Sequence, residues 1–160
     1  MAILKAKDLA SYIIDRYETK YFTRDISGIK LQKSLYFLFA LWGGFIRKSK
    51  TNQSEEKMTY DEFLFDDEIQ AWVYGPVIPE IFKITKTLIA GSKKPIDPFN
   101  NEYIKGAMDA ILDDVFAISD FKLVEISHND KCWMEQFNYS DKKHCKKITL
   151  ESIVNEYATK

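Results

Sequence analysis

The sequence predicts a mainly α fold, about six helices with one short β element in a single compact domain. Three observations carry that expectation. Apolar residues recur every three or four positions through most of the chain, one short segment alternates instead, and no Pro/Gly/Ser-rich linker parts the rest into two domains. The chain has 160 residues, and at that length roughly 70% of the unfolded surface can be buried, enough for a core without metal or disulfides. Apolar residues at 46% and aromatics at 14% argue against disorder, because a disordered chain lacks the apolar surface to offset its conformational entropy.

The first helix is expected from about Lys5 to Tyr17, with Leu9, Ile13 and Tyr17 one turn apart and Ala6, Ala10 and Ile14 beside them. A second follows Ser27 as N-cap and carries Leu31, Leu35, Leu38 and Trp42, flanked by Phe39 and Leu41. Gly43-Gly44 reads as its stop, since glycine tolerates a left-handed cap. This helix is apolar over much of its circumference, which places it at the centre of the fold. Arg47 to Asp61 is polar and reads as an exposed, mobile loop.

Glu68 to Tyr74 alternates, with Ile69, Ala71 and Val73 between Gln70, Trp72 and Tyr74, and is expected to be extended until Gly75-Pro76 breaks it. Pro79 suits the first turn of a third helix, which carries Ile81, Ile84, Leu88 and Ile89 and stops at Gly91. Ser92 to Phe99, with Pro95 and Pro98, is a loop. A fourth helix runs from about Glu102 to Phe116 on Ile104, Met108, Ile111, Leu112 and Val115. Ser119-Asp120 supplies cap and dipole partner for a fifth, with Leu123, Val124 and Ile126. His128 to Lys147 has no clean period; Thr149 then caps a last helix, Leu150 to Tyr157, with Ile153, Val154 and Tyr157 facing inward.

The charge balance argues against nucleic acid as the main ligand. Lys and Arg total 23 against 24 for Asp and Glu, a net charge of -1, so the chain lacks the overall positive field of a general nucleic-acid binder. The local exception is the basic tract Lys142 to Lys147 beside Phe137 and Tyr139, a solvated loop unless the chain also regulates transcription as a DNA-binding protein. There is no signal-peptide block and no membrane span, and two cysteines, Cys132 and Cys145, do not make a disulfide framework, so cytoplasm is the expected compartment.

Catalysis is not expected. The chain has no Gly-x-Ser-x-Gly elbow, no phosphate-cradling glycine loop and no His-Glu-x-x-His pair. Asp66-Asp67-Glu68 reads as a solvated turn. His128, Cys132, His144 and Cys145 raise zinc, but no Cys-x-x-Cys knuckle is present and adjacent His144-Cys145 is an awkward ligand pair, so neither metal nor other cofactor is expected.

Two segments are more specific than generic helix and loop: Ile29-Lys-Leu-Gln-Lys-Ser-Leu-Tyr36, and Leu64 to Pro79 with its Ala-Trp-Val-Tyr-Gly-Pro-Val-Ile-Pro run. Together with Leu123 to Trp133, which holds Ser127-His128 and Trp133, they resemble the Panacea domain, the SocA-like antitoxin family. Ser34 stands where that pattern has Leu, and Arg47 to Asp61 looks longer than the family's loop. The resemblance implies a helical fold with a short β element and a cytoplasmic antitoxin that binds a protein toxin, in some members delivering it to a protease. It also leaves open a phage or mobile-element copy turned against a host defence nuclease or another host enzyme.

The candidate partner-binding residues fall in the same segments. Lys30, Gln32, Lys33 and Tyr36 lie on and beside the polar edge of the second helix, where they bond either to neighbours or to a partner. Trp72, Tyr74, Gly75, Pro76 and Val77 form a corner that is either scaffold or the wall of a binding groove, with the aromatics suited to interface anchoring. His128 is expected to bond locally and order the approach to Trp133.

Overall fold

The computed structural model describes residues 4–51, 60–91, 98–99, 101–138, 140 and 146–160. Its spine is α2 (Gly28–Thr51). Ser27 starts this helix, its Oγ accepting the Lys30 amide at 2.9 Å while donating to Asp120 at 2.6 Å. Every residue from Leu31 to Ala40 is buried, the all-round burial that its apolar circumference requires.

The other helices wrap this spine. They are α1 (Ala6–Tyr21), α3 (Pro79–Ala90), α4 (Glu102–Ala117), α5 (Asp120–His128), the single turn α6 (Lys131–Met134) and α7 (Leu150–Ala158). They pack on α2, with α7 the most extensively apposed, and α6 meets it through Cys132 at Tyr36. Side-chain caps set three starts: Asn101 accepts from the Tyr103 and Ile104 amides, Ser119 from Lys122, and Thr149 from Ser152. The mainly helical single domain is therefore as the sequence predicts, with α6 added to the expected set.

One boundary differs sharply. The second helix does not stop at Gly43-Gly44 but continues two turns to Thr51. Those glycines mark close approach rather than termination. A Cβ on Gly43 would lie 2.5 Å from Val154 Cγ2 and 2.8 Å from the Glu62 carbonyl oxygen, and one on Gly44 would lie 2.8 Å from Tyr157. The absence of two side chains is what lets α7 settle against α2. The stretch expected as a loop from Arg47 thus begins as helix, and 52–59 lies outside the described residues.

The β element is larger than expected. β1 (Ile69–Trp72), β2 (Gly75–Val77) and β3 (Lys147–Ile148) form a sheet of order β2-β1-β3, antiparallel throughout. Trp72 pairs with Gly75 and Gln70 with Val77, so Val73 and Tyr74 are the two central residues of a tight hairpin turn. Gly75, at φ 104°, makes the backbone conformation that closes it.

Candidate functional site: a fastened hairpin turn

Side chains from three separate segments converge on the main chain of this hairpin. From α2, Gln32 bonds both polar groups of Ile78: its Nε2 donates to the carbonyl at 3.2 Å and its Oε1 accepts the amide at 2.9 Å. From the next residue, Lys33 Nζ donates to the Pro76 carbonyl at 3.1 Å. From the end of α5, His128 Nε2 lies 2.9 Å from the Val73 carbonyl; a carbonyl only accepts, so this nitrogen carries the proton. From α6, Trp133 Nε1 donates to the Trp72 carbonyl at 2.8 Å. Four carbonyls in seven consecutive residues thus accept from side chains, that of Ile78 also from the Ile81 and Phe82 amides.

The donors are themselves fixed. His128 stacks on Trp133 with ring centroids 4.1 Å apart, and Trp133 stacks in turn on Phe137 at 4.8 Å. Lys33 is buried, and among the described residues no carboxylate pairs with it. Burial alone pulls its ammonium down to about 7, since a charge there has lost its water. His128 is also shifted down, first by burial and then by the nearby Lys33, with its bond to Val73 opposing.

A second polar centre lies behind α6. Asp130, almost wholly buried, accepts from Tyr36 Oη at 2.5 Å, Tyr157 Oη at 2.7 Å and Lys160 Nζ at 2.6 Å. Glu156 accepts the amides of Lys131 and Cys132 at 3.0 and 2.8 Å, satisfying the free donors of that short helix. Burial pushes the Cys132 thiol up to about 12 and raises both tyrosine hydroxyls, so all three stay protonated at neutral pH.

The sequence candidates accordingly separate into two groups. Gln32, Lys33, Tyr36, Gly75, Pro76, Val77 and Trp133 are buried behind the turn. Lys30 turns elsewhere: its ammonium donates to the Phe116 carbonyl at 3.0 Å and to that of Ile118, beside Asp120, closing the C-terminal end of α4. Of the candidates at the turn, Trp72, Tyr74 and His128 keep access to solvent, as Lys30 partly does away from it.

Tyr74 is 58% exposed and Val73 41%, and Phe82 on α3 is 59% exposed. Trp72 meets the Phe82 ring edge-on at 5.0 Å and anchors its indole N–H on Gln70 Oε1 at 3.0 Å. Trp72, Val73, Tyr74 and Phe82 therefore give this side of the molecule exposed apolar surface on a fixed backbone. Sequence reasoning missed Val73 and Phe82. The signal for Phe82 was its place just off the Ile81–Ile84–Leu88 stripe, where a large aromatic has no core to enter. It also missed Asp130, Tyr157 and Lys160, which no local pattern links.

Among the described residues, no group of three or more His, Cys, Asp or Glu is arranged to hold a metal ion, and no helix is long and apolar enough to cross a membrane. His144, Cys145 and residues 142–145 of the basic tract lie outside the described residues. Of the rest of that tract, Lys146 lends its carbonyl to the Ala71 amide at 2.8 Å and Lys147 sits in β3.

No curated protein and no solved structure matches the chain. A family model described as antitoxin SocA-like, Panacea domain, matches residues 52–134. That span contains the hairpin, α3, α4, α5 and α6, and so both the turn and the His128–Trp133 stack that holds it. It covers a little over half of the chain, which therefore belongs to the SocA-like antitoxin, Panacea domain family.

Proposed function

We propose that this protein is an antitoxin that neutralises a protein toxin by binding it directly, without catalysis, through the Trp72–Tyr74 turn and the adjoining Phe82. The observation that carries the reading is the combination of exposed aromatics with a backbone held at four carbonyls. Aromatic anchors bury much area with few rotors, and a fixed backbone lowers the ordering cost of association. The family's antitoxin description supports the class of partner. Lys33, Gln32 and Trp133 serve this surface from behind, by shaping it.

The test is affinity capture of the tagged protein from its host, read by mass spectrometry, followed by the same capture with Tyr74→Ala and Phe82→Ala. A small stoichiometric partner encoded beside this chain, lost from the double variant, is the expected result. Each anchor should contribute about 2 kcal/mol to binding while folding stability changes by no more than about 0.5 kcal/mol. Retention of the partner by the folded double variant refutes the surface. A host nuclease captured in place of a small toxin refutes the antitoxin role and leaves an inhibitor of host defence.

A further inference from the structure

Three side chains from the end of α7 and the residues after it, Glu156, Tyr157 and Lys160, grip the segment that holds the turn in place. Lys160 Nζ meets Asp130 Oδ1 at 2.6 Å, lies 3.8 Å from Glu156 and sits 4.0 Å from the centre of the Tyr157 ring. Tyr157 donates to the other oxygen of Asp130, which also receives Tyr36. Glu156 holds the first two amides of α6. Asp130 lies between His128 and Trp133, the two residues whose ring nitrogens hold the Val73 and Trp72 carbonyls. The connection from Lys160 to the turn therefore runs through one carboxylate and a single helical turn.

Asp130 is 1% exposed on its side chain, and Lys160 is the cation that meets it. A buried carboxylate is costly unless it is paired and hydrogen-bonded. Lys160 is itself half exposed, so it can leave for solvent without disturbing any core packing. If it leaves, Asp130 keeps two tyrosine hydroxyls but loses its counter-charge, and the position of α6 is no longer fixed from this side.

We propose that Lys160 is a positioning residue for the Trp72–Tyr74 turn, acting through Asp130, which joins the end of α5 to α6, the two elements that carry His128 and Trp133 to the hairpin carbonyls. The inference takes its functional meaning from the turn being the binding surface, but its test needs no partner, so the two fail separately.

The experiment is amide hydrogen exchange on the full chain, comparing the native protein with Lys160→Met and Lys160→Arg. In Lys160→Met the amides from Trp72 to Ile78 should exchange about tenfold faster, while those of α4 stay at the native rate. Lys160→Arg, which keeps the charge and the reach, should restore the slow rate. Two results overturn the proposal: acceleration confined to α7 with the turn unchanged, or acceleration of α4 and the turn in equal measure. The first would make Lys160 a local cap, and the second a contributor to global stability only. A thermal melt of each variant, read beside the exchange data, separates that second case from a turn-specific effect.

Discussion

Replacing Gly75 with alanine should damage this protein more than any other single-methyl addition in the hairpin. Gly75 sits at φ 104°, where a side chain is strained whatever space surrounds it. Strain of this kind costs about 1–3 kcal/mol. The new Cβ would also lie 2.4 Å from Ser127 Oγ, 3.0 Å from Lys33 Cε and 3.2 Å from Lys33 Nζ. The hydroxyl cannot swing aside freely, because it donates to the Val124 carbonyl at 2.8 Å. Overpacking of a filled site adds about 1–3 kcal/mol. The two together give roughly 2–6 kcal/mol, a large share of the 5–15 kcal/mol typical of a domain. Urea denaturation of Gly75→Ala should show that loss as a lowered midpoint with an unchanged slope. Ser127→Ala added to Gly75→Ala removes the closest contact and should recover part of the overpacking and none of the strain. A Gly75→Ala protein within about 1 kcal/mol of native stability would refute the reasoning, since neither the strain nor the clash would then be present.

Three further outcomes follow from buried groups. Lys33 has its ammonium held at about 7 in the fold against 10.5 unfolded, so the unfolded chain binds the extra proton between those values and stability should rise with pH from about 7 towards 10. Lys33→Met should flatten that rise in denaturation curves taken across the range, and an unchanged slope would count against the shift. Above pH 10 the sign reverses, because Tyr36 and Tyr157 keep their protons in the fold and lose them on unfolding. Gln32→Ala leaves the Ile78 amide without its bond, while the carbonyl keeps the Ile81 and Phe82 amides, and at about 1–3 kcal/mol for a buried group left unmade it should lower the urea midpoint clearly. The Ser34 hydroxyl is fully buried and has no hydrogen-bond partner among the described residues, so Ser34→Ala should raise stability by about 1 kcal/mol, measured the same way.

Helices announced themselves in the sequence wherever a stripe met a cap. Ser27, Ser119 and Thr149 cap as their positions predict, and Leu31, Leu35, Leu38 and Trp42 enter the core as their periodicity requires, whereas Leu41 stays exposed. Gly43-Gly44 misled because one residue type serves two purposes, and only the position of α7 distinguishes a chain stop from a close crossing. β2 and β3 are three and two residues long, too short to carry a period, and β3 pairs with β1 across most of the chain. The candidate site was half legible. The three motif segments do meet, but which side chains face out was not readable. Gln32, Lys33 and Tyr36 are polar groups turned inward because hairpin carbonyls and Asp130 satisfy them there, and such partners lie some forty to ninety residues away in the chain.

The five bonds that hold the hairpin all end on main-chain groups, four carbonyls and the Ile78 amide, and such a group is much the same whatever residue bears it. None of Gln32, Lys33, His128 or Trp133 tests the identity of the side chains at positions 73 and 74. Those two positions, and 82 beside them, are therefore free to change while the frame beneath them stays constant. A fold fastened in this way separates the shape of the turn from the chemistry of its surface: the frame can stay unchanged while the three exposed residues vary.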